Sequence, residues 1–376
     1  MDFSLNEVQS MLDDSIEKFI ANDYDFETRQ KHAASEAGYS PEVWRTFAEL
    51  GWTAVPFAEA DGGFDGGPIE TSIMMRLFGR GLLVEPWLAN VVLAGGILKR
   101  LANDAQKANW LQAVIAGELQ AALAFNEPQS RYELSNVETT ATADGDSWIL
   151  SGRKGVVLNG GSAELLVVPA RTSGETTDTG GITMFALSAG AQGLSRRAYP
   201  TVDGQQAAEI TLDKVRVDAD AVLGEVGQAF EALDETVYEA TLAVSAEAVG
   251  IMQIMTEKTV DYCKSRQQFG VPIGSFQSLQ HRMVDMLTAC EQAYSLLLWA
   301  SMANAGQTTE ARQAIHSIKY FVGTSGQKVG QEAIQLHGGM GMTWELDIAH
   351  YFKRLTAIGQ LFGNADWHLD RLSADG

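Results

Sequence analysis

The residue types able to do chemistry are concentrated in the last third of this chain. Ser265-Arg266-Gln267-Gln268-Phe269-Gly270 is followed closely by Pro272-Ile273-Gly274-Ser275-Phe276-Gln277. Ile334-Gln335-Leu336-His337-Gly338-Gly339-Met340-Gly341 and Tyr351-Phe352-Lys353-Arg354-Leu355 come after them. A planar guanidinium such as that of Arg266 suits bidentate contact with a phosphate. A glycine pair such as Gly338-Gly339 lets backbone amides approach a ligand that a Cβ would obstruct. Structural roles are open to the same residues: Arg266 can cap a helix C-terminus, and Gly338-Gly339 can simply end a helix. Other chemistries lack their signatures. No Gly-x-Gly-x-x-Gly follows a strand, and Gly62-Gly63-Phe64-Asp65-Gly66-Gly67 sits between helices, a weak phosphate loop. The histidines at 32, 281, 316, 337, 350 and 368 have no metal-binding spacing, and no Gly-x-Ser-x-Gly elbow occurs.

Composition narrows the partners. Among 376 residues, 27 Lys and Arg stand against 48 Asp and Glu, a net charge of −21. Such a surface repels nucleic acid and anionic membranes, although one or two local cations can still hold a small phosphorylated ligand. Two cysteines, Cys263 and Cys290, exclude a disulfide framework and a Cys-rich metal site. The start, Met1-Asp2-Phe3-Ser4-Leu5, has neither the basic nor the apolar region of a secretory leader, and no apolar run reaches membrane-spanning length. A soluble, cytoplasmic protein is expected.

The elements that must position these segments change character twice. Residues 1–120 read as helical, with Leu5-Val8-Met11-Leu12-Ile16-Phe19-Ile20 spaced by threes and fours as one buried face. Residues 121–225 turn to short strands: Trp148-Ile149-Leu150 after a turn, Glu164 to Val168, Ile182 to Leu187, and Ile210 to Val217. Thr172 to Gly181 is a polar loop between two of them. This block predicts a small antiparallel barrel or sandwich. Residues 226–376 return to helices, with stripes Val249-Met252-Met255-Val260-Cys263 and Leu279-Met283-Met286-Leu287-Cys290, and a third over Ala314 to Gln335. Breaks at Gly270, Gly306 and Gly338-Gly339 predict a bundle. The fold class expected is α+β.

In order and spacing, the last-third segments resemble the signatures of the acyl-CoA dehydrogenase family, and the resemblance spans the whole chain. It is closest in appearance to the small subunit of pimeloyl-CoA dehydrogenase and related two-subunit members. The resemblance implies a helical N-terminal domain, a β-barrel middle domain and a C-terminal four-helix bundle. It also implies FAD as cofactor, an acyl-CoA thioester as substrate, and electron-transfer flavoprotein or a similar acceptor. In the family a carboxylate takes the α-proton while the flavin accepts the β-hydride. The flavin lies between the β domain of one protomer and the bundle of its neighbour. Carried over residue by residue, Arg266, Gln268, Phe269, Phe276, Gln277, Gln335, Gly338 and Gly339 would bind the flavin dinucleotide, with Arg266 at the pyrophosphate and Phe269 beside the adenosine.

The departures are as informative as the matches. The family's flavin-walling aromatic and its hydroxyl neighbour fall at Val156 and Leu158 of Lys154-Gly155-Val156-Val157-Leu158-Asn159-Gly160-Gly161. Phe125-Asn126-Glu127-Pro128-Gln129-Ser130 keeps the Glu-Pro of the flavin loop but lacks the Gly-x-Gly-Ser that follows it. The usual catalytic Glu position is Gly363, and the alternative base position is Ala240, followed by Thr241. Glu239, Glu247 and Asp366 are weak substitutes: Glu239 points about 100° away round a helix, Glu247 is two turns on, and Asp366 is three residues past Gly363. The elements lost belong to one protomer's site, and those kept reach toward its neighbour's. The expectation is therefore a non-catalytic small subunit of an α2β2 dehydrogenase, completing the FAD site of a homologous large subunit. The alternatives are a self-sufficient homo-oligomer with a displaced acid and a flavin-free scaffold of the same fold.

Overall fold

The structure is a computed structural model that describes residues 4–374; Met1, Asp2 and Phe3, part of the start read for a leader, lie outside the described residues, as do the last two positions. The chain opens with α1 (Glu7–Asp23), α2 (Phe26–Ala33), α3 (Pro41–Glu49) and α4 (Pro68–Gly81). A π-helical stretch, Leu88–Ala94, runs into α5 (Gly95–Leu101). After α6 (Asp104–Gln106) a second π-helical turn leads into α7 (Gln112–Ile115). The starts follow from capping chemistry: Asn6 and Gln9 close a capping box on α1, and Ser40 caps α3 with Pro41 behind it.

The face of α1 that its apolar spacing predicts is buried in the second half of the helix only. Val8 is 71% exposed and Met11 66%, while Gln9, Ile16 and Phe19 are buried. Polar pairing decides the rotation. Gln9 Nε2 donates to Glu70 Oε1 at 2.8 Å, and Arg76 Nη2 donates to Asp13 Oδ1 at 2.7 Å, turning the 9-13-16 stripe toward α4. The glycine cluster after α3 is a packed turn: a Cβ on Gly63 would meet Phe57 O at 2.1 Å.

The middle of the chain forms a sheet of β1 (Ala121–Leu123), β2 (Thr140–Asp144), β3 (Ser147–Leu158), β4 (Leu165–Arg171), β5 (Ile182–Ser188), β6 (Leu194–Pro200), β7 (Gln206–Asp218) and β8 (Val222–Leu223). Its order is β6-β7-β3-β2-β4-β5-β8, with β1 on β4. Pairing is mainly antiparallel, but β1 and β2 each run parallel to β4, so the sheet is mixed rather than wholly antiparallel. The reason is topological: the β2–β3 hairpin lies between β1 and β4 in sequence, and β4 re-enters alongside β1 in the same direction. Leu150, Leu166, Val168, Phe185, Ile210 and Val215 make its core. The exposed edge strand β6 carries Arg196 and Arg197, which discourage further pairing. The polar 172–181 loop is pinned by buried Arg171, which donates to the carbonyls of Ser135, Thr176, Asp178 and Gly180 at 2.7–2.9 Å.

The last part is α8 (Phe230–Ser265), a hairpin of β9 (Gln267–Gln268) and β10 (Val271–Pro272), α9 (Gln277–Ala305), α10 (Ala311–His337), α11 (Ile348–Ile358) and α12 (Ala365–Ala374). Met286 and Cys290 of the predicted α9 stripe are buried, whereas Leu287 is 51% exposed. The chain divides into two compact units. One comprises the chain up to Lys31, Gly67–Leu83 and the chain from Thr241 onward; the other comprises His32–Gly66 and Val84–Ala240. Among the described residues, no helix is long and apolar enough to cross a membrane.

The sheet-bearing unit holds one fully buried ion pair. Lys154 Nζ on β3 donates to Glu127 Oε1 at 2.6 Å and to Pro169 O at 2.8 Å. The same carboxylate accepts from Glu138 N, Thr139 N and Gln129 Nε2. Burial alone would raise the Glu127 carboxyl, but the Lys154 ammonium and these donors hold it below its ordinary value. Lys154→Met strands that carboxylate and should cost about 3–5 kcal/mol in urea unfolding. Lys154→Met with Glu127→Gln should recover most of the loss. Because the folded carboxyl is depressed, its contribution is present above the ordinary carboxylate pKa and is lost as pH falls through the folded value. Stability of the natural chain should therefore fall more steeply below about pH 4 than that of the double variant.

Candidate functional site

The residues singled out in the last third come to the surface together at one end of the long helices. Arg266, Gln268, Phe269, Phe276, Gln277, Gln335, Gly338 and Gly339 are all exposed. Arg266 follows α8 directly, and its carbonyl accepts from Ile273 N at 2.8 Å, which closes the β9–β10 hairpin. The hairpin turn is Phe269-Gly270, with φ of +55° and +83°. Gly270 takes that conformation freely; a bulky Phe does so at a cost of about 1–3 kcal/mol. Phe269 is nevertheless 92% exposed, touching Phe276 edge-on with ring centroids 6.2 Å apart. Nothing in the hairpin's own packing accounts for an aromatic held strained and bare.

The Gly338 turn is fastened to this end by a stack. Tyr262, one turn before Arg266, lies against His337 with centroids 4.4 Å apart and 27° between planes. Burial lowers the His337 pKa, and its Nδ1–H donates to Ala333 O at 2.8 Å. Gly338 ends α10 with φ +62°, a conformation that favours glycine. No atom lies within 4 Å of a Cβ added at Gly338 or Gly339. The space over the turn is open, and exposed Arg266, Phe269 and Gln335 lie at the same end of the helices.

In the sheet-bearing unit, the two flavin-loop segments also meet. Gly155 N donates to Asn126 O at 2.9 Å, joining the 125–130 loop to β3, while Glu127 is spent on Lys154. The β3–β7 register shifts between Lys154 and Val157, and Val156 in that bulge has φ +50° and is 45% exposed. The bulge therefore presents a strained β-branched side chain outward, with no ring to stack, and Leu158 has no polar atom to offer. Tyr199 and Glu209 were not singled out by sequence. A Cβ on Gly155 would lie 3.4 Å from Glu209 Oε2, and Tyr199 Oη donates to Glu209 Oε1 at 2.9 Å. Only the β6–β7 register, pairing Ala198 with Ala208, brings them beside the bulge.

The acids near the two base positions are committed elsewhere or exposed. Ala240 is fully buried, and Glu239 beside it accepts from Lys99 Nζ at 3.1 Å and Arg100 Nη2 at 2.5 Å. Burial pushes that carboxyl up, but the two cations outweigh it and hold it below the ordinary range, making it a weaker base. Glu247 is buried in a fork with Arg354, at 2.6 Å from Nε to Oε1 and 2.7 Å from Nη2 to Oε2. Asp366 is exposed in the first turn of α12. It borders a polar recess of about 580 Å³ between α10 and the α11–α12 connection, with Thr324, Gln327, Gln331, Gln360 and Asn364 on its walls.

Comparison with known proteins gives a consistent result across the chain. Models described as the N-terminal, middle and C-terminal domains of acyl-CoA dehydrogenase match residues 6–118, 122–215 and 227–375. The probable acyl-CoA dehydrogenase YngJ of Bacillus subtilis is 27% identical over 370 residues, 96% of each chain. The FAD complex of PigA superposes with a TM-score of 0.92 at 26% identity, over 100% of this chain and 99% of that one. A Tcur3481–Tcur3483 steroid ACAD superposes at 0.87 with 27% identity, over 99% and 98%.

The glycine pair separates conformational need from open space. Gly338→Ala should lower stability by about 1 kcal/mol through its positive φ, whereas Gly339→Ala should leave the melting temperature unchanged. Equal losses at both positions would show that the turn is packed rather than open.

Proposed function

Since the chain belongs to the acyl-CoA dehydrogenase family, we propose that it is the small, non-catalytic subunit of an FAD-dependent α2β2 acyl-CoA dehydrogenase, completing the flavin site of a homologous large subunit. The observation that carries this reading is the state of the base positions. Gly363 and Ala240 occupy them, and the nearby acids are tied up, half-buried Glu239 by Lys99 and Arg100 and buried Glu247 by Arg354. Without a carboxylate at the α-carbon, proton abstraction loses a factor of roughly 10²–10⁴ or more.

The residues that remain fit the dinucleotide. Arg266 would pair with the pyrophosphate through its guanidinium, exposed Phe269 would lie along the adenosine, and Gln335 would hydrogen-bond the dinucleotide where the Gly338-Gly339 turn, free of a Cβ, lets it approach closely. When bound, FAD supplies the acceptor for the hydride leaving the β-carbon of the acyl-CoA. The β3 bulge fits the ring system poorly, because Val156 cannot stack and Leu158 cannot hydrogen-bond. A partner that keeps an aromatic and a hydroxyl there would supply what this chain lacks, and would also contribute the base. Reoxidation would fall to electron-transfer flavoprotein or a similar acceptor. A cytoplasmic location fits a chain whose described helices are all too short or too polar to span a membrane.

The reading is tested by reconstitution. The chain alone should bind FAD weakly and oxidise no acyl-CoA, and titration with its large subunit should raise activity to a plateau at one to one. Arg266→Ala should weaken FAD retention by the complex about tenfold or more, the loss of one charge-assisted hydrogen bond. A tetramer of this chain alone that holds four flavins and turns over would establish the self-sufficient enzyme instead. A colourless complex that never takes up flavin would leave only a scaffold.

A further inference from the structure

Position 363 is not an empty seat that a carboxylate could refill. Gly363 is buried with φ +111°, next to Phe362 at φ +56°. A Cβ added there would lie 2.6 Å from His368 Nε2 and 2.6 Å from Trp367 Cε3. Both the backbone conformation and the space therefore exclude a side chain.

Three buried side chains impose that conformation. Lys319 Nζ on α10 donates to Ile358 O at 2.9 Å and to Gly363 O at 2.7 Å, clamping both ends of the 358–363 segment. His368 Nε2 lies 3.1 Å from Phe362 O, and His368 Nδ1 lies 2.7 Å from His316 Nδ1. A carbonyl can only accept, so Nε2 of His368 carries the proton and its Nδ1 is the acceptor. His316 must then be the Nδ1–H tautomer that donates to it. Burial, with Lys319 and His316 nearby, pushes the His368 pKa down to about 2, in keeping with an Nδ1 that accepts. The relay runs His316 to His368 to Phe362, and it needs both imidazoles.

We propose that His316, His368 and Lys319 act as positioning residues, a bolt that fixes the 358–364 segment so that position 363 keeps a conformation suited to glycine and stays closed to a catalytic carboxylate. The inference rests on the reading of 363 as the vacated base position. Its test reads the chain itself, so the two can fail separately.

Hydrogen exchange of the full-length chain tests the bolt without asking for activity. His316→Ala and His368→Ala should each speed exchange in 358–364 about tenfold, the factor for one lost buried hydrogen bond, with α10 unchanged. His316→Asn, which keeps an N–H at the place of Nδ1, should stay near the natural rate. Unchanged exchange in both alanine variants, or no rescue by Asn, overturns the bolt. Gly363→Ala should lower the melting temperature by about 5 °C, and by less when His368 is also Ala. Equal losses in the two backgrounds, or a Gly363→Glu chain that folds as stably as the natural one and dehydrogenates an acyl-CoA by itself, would show that position 363 is open.

Discussion

A charge taken out of water must be met by an opposite charge and by enough hydrogen-bond donors or acceptors to replace its hydration. Both compact units of this chain are organised by that constraint. In the sheet-bearing unit, Lys154 reaches Glu127, and Glu127 in turn collects the amides of residues 138 and 139, fixing the loop that meets the β3 bulge. In the helical unit, Arg354 on α11 grips Glu247 on α8 with both arms of its guanidinium. Lys319 is met by the carbonyls of Ile358 and Gly363 instead, and burial pushes its pKa down to about 7.

The same constraint sorts the acids of a strongly acidic chain. With 48 Asp and Glu available, a carboxylate near either base position is easy to find in the sequence. What separates a general base from a structural acid is whether its lone pairs and its proton affinity are free. Glu239, flanked by Lys99 and Arg100, has lost proton affinity, and both oxygens of Glu247 are held by Arg354. Asp366 is exposed at the mouth of a polar recess.

The exposed end of the helices obeys the opposite rule. Phe269 is held in a left-handed conformation and left 92% bare, and the Gly338-Gly339 turn faces open space. Conformational cost without local compensation is the mark of a surface shaped for something outside the chain. The bulge at Val156 holds a β-branched side chain outward at positive φ, with no ring to offer a ligand. One end furnished with polar and aromatic groups and another without them are what the proposed assembly of unlike subunits would need.

The sequence alone determined the succession of helical, strand and helical parts, because hydrophobic period is a local property carried by neighbouring residues. It also determined which motif residues stand at 266, 269, 335 and 338, since order and spacing survive without coordinates. Three things were decided only by the tertiary structure. The rotation of α1 was set by Gln9 and Asp13 finding Glu70 and Arg76, partners about sixty residues away that no periodicity encodes. The parallel placement of β1 on β4 depended on where the intervening hairpin folded. The fates of Glu239, Glu247 and Gly363 depended on Lys99, Arg354 and His368, and the first two lie more than a hundred residues from the acids they bind. Spacing tells which residues share a face, but a proton's affinity and a side chain's room are set by whatever the rest of the chain packs against that face.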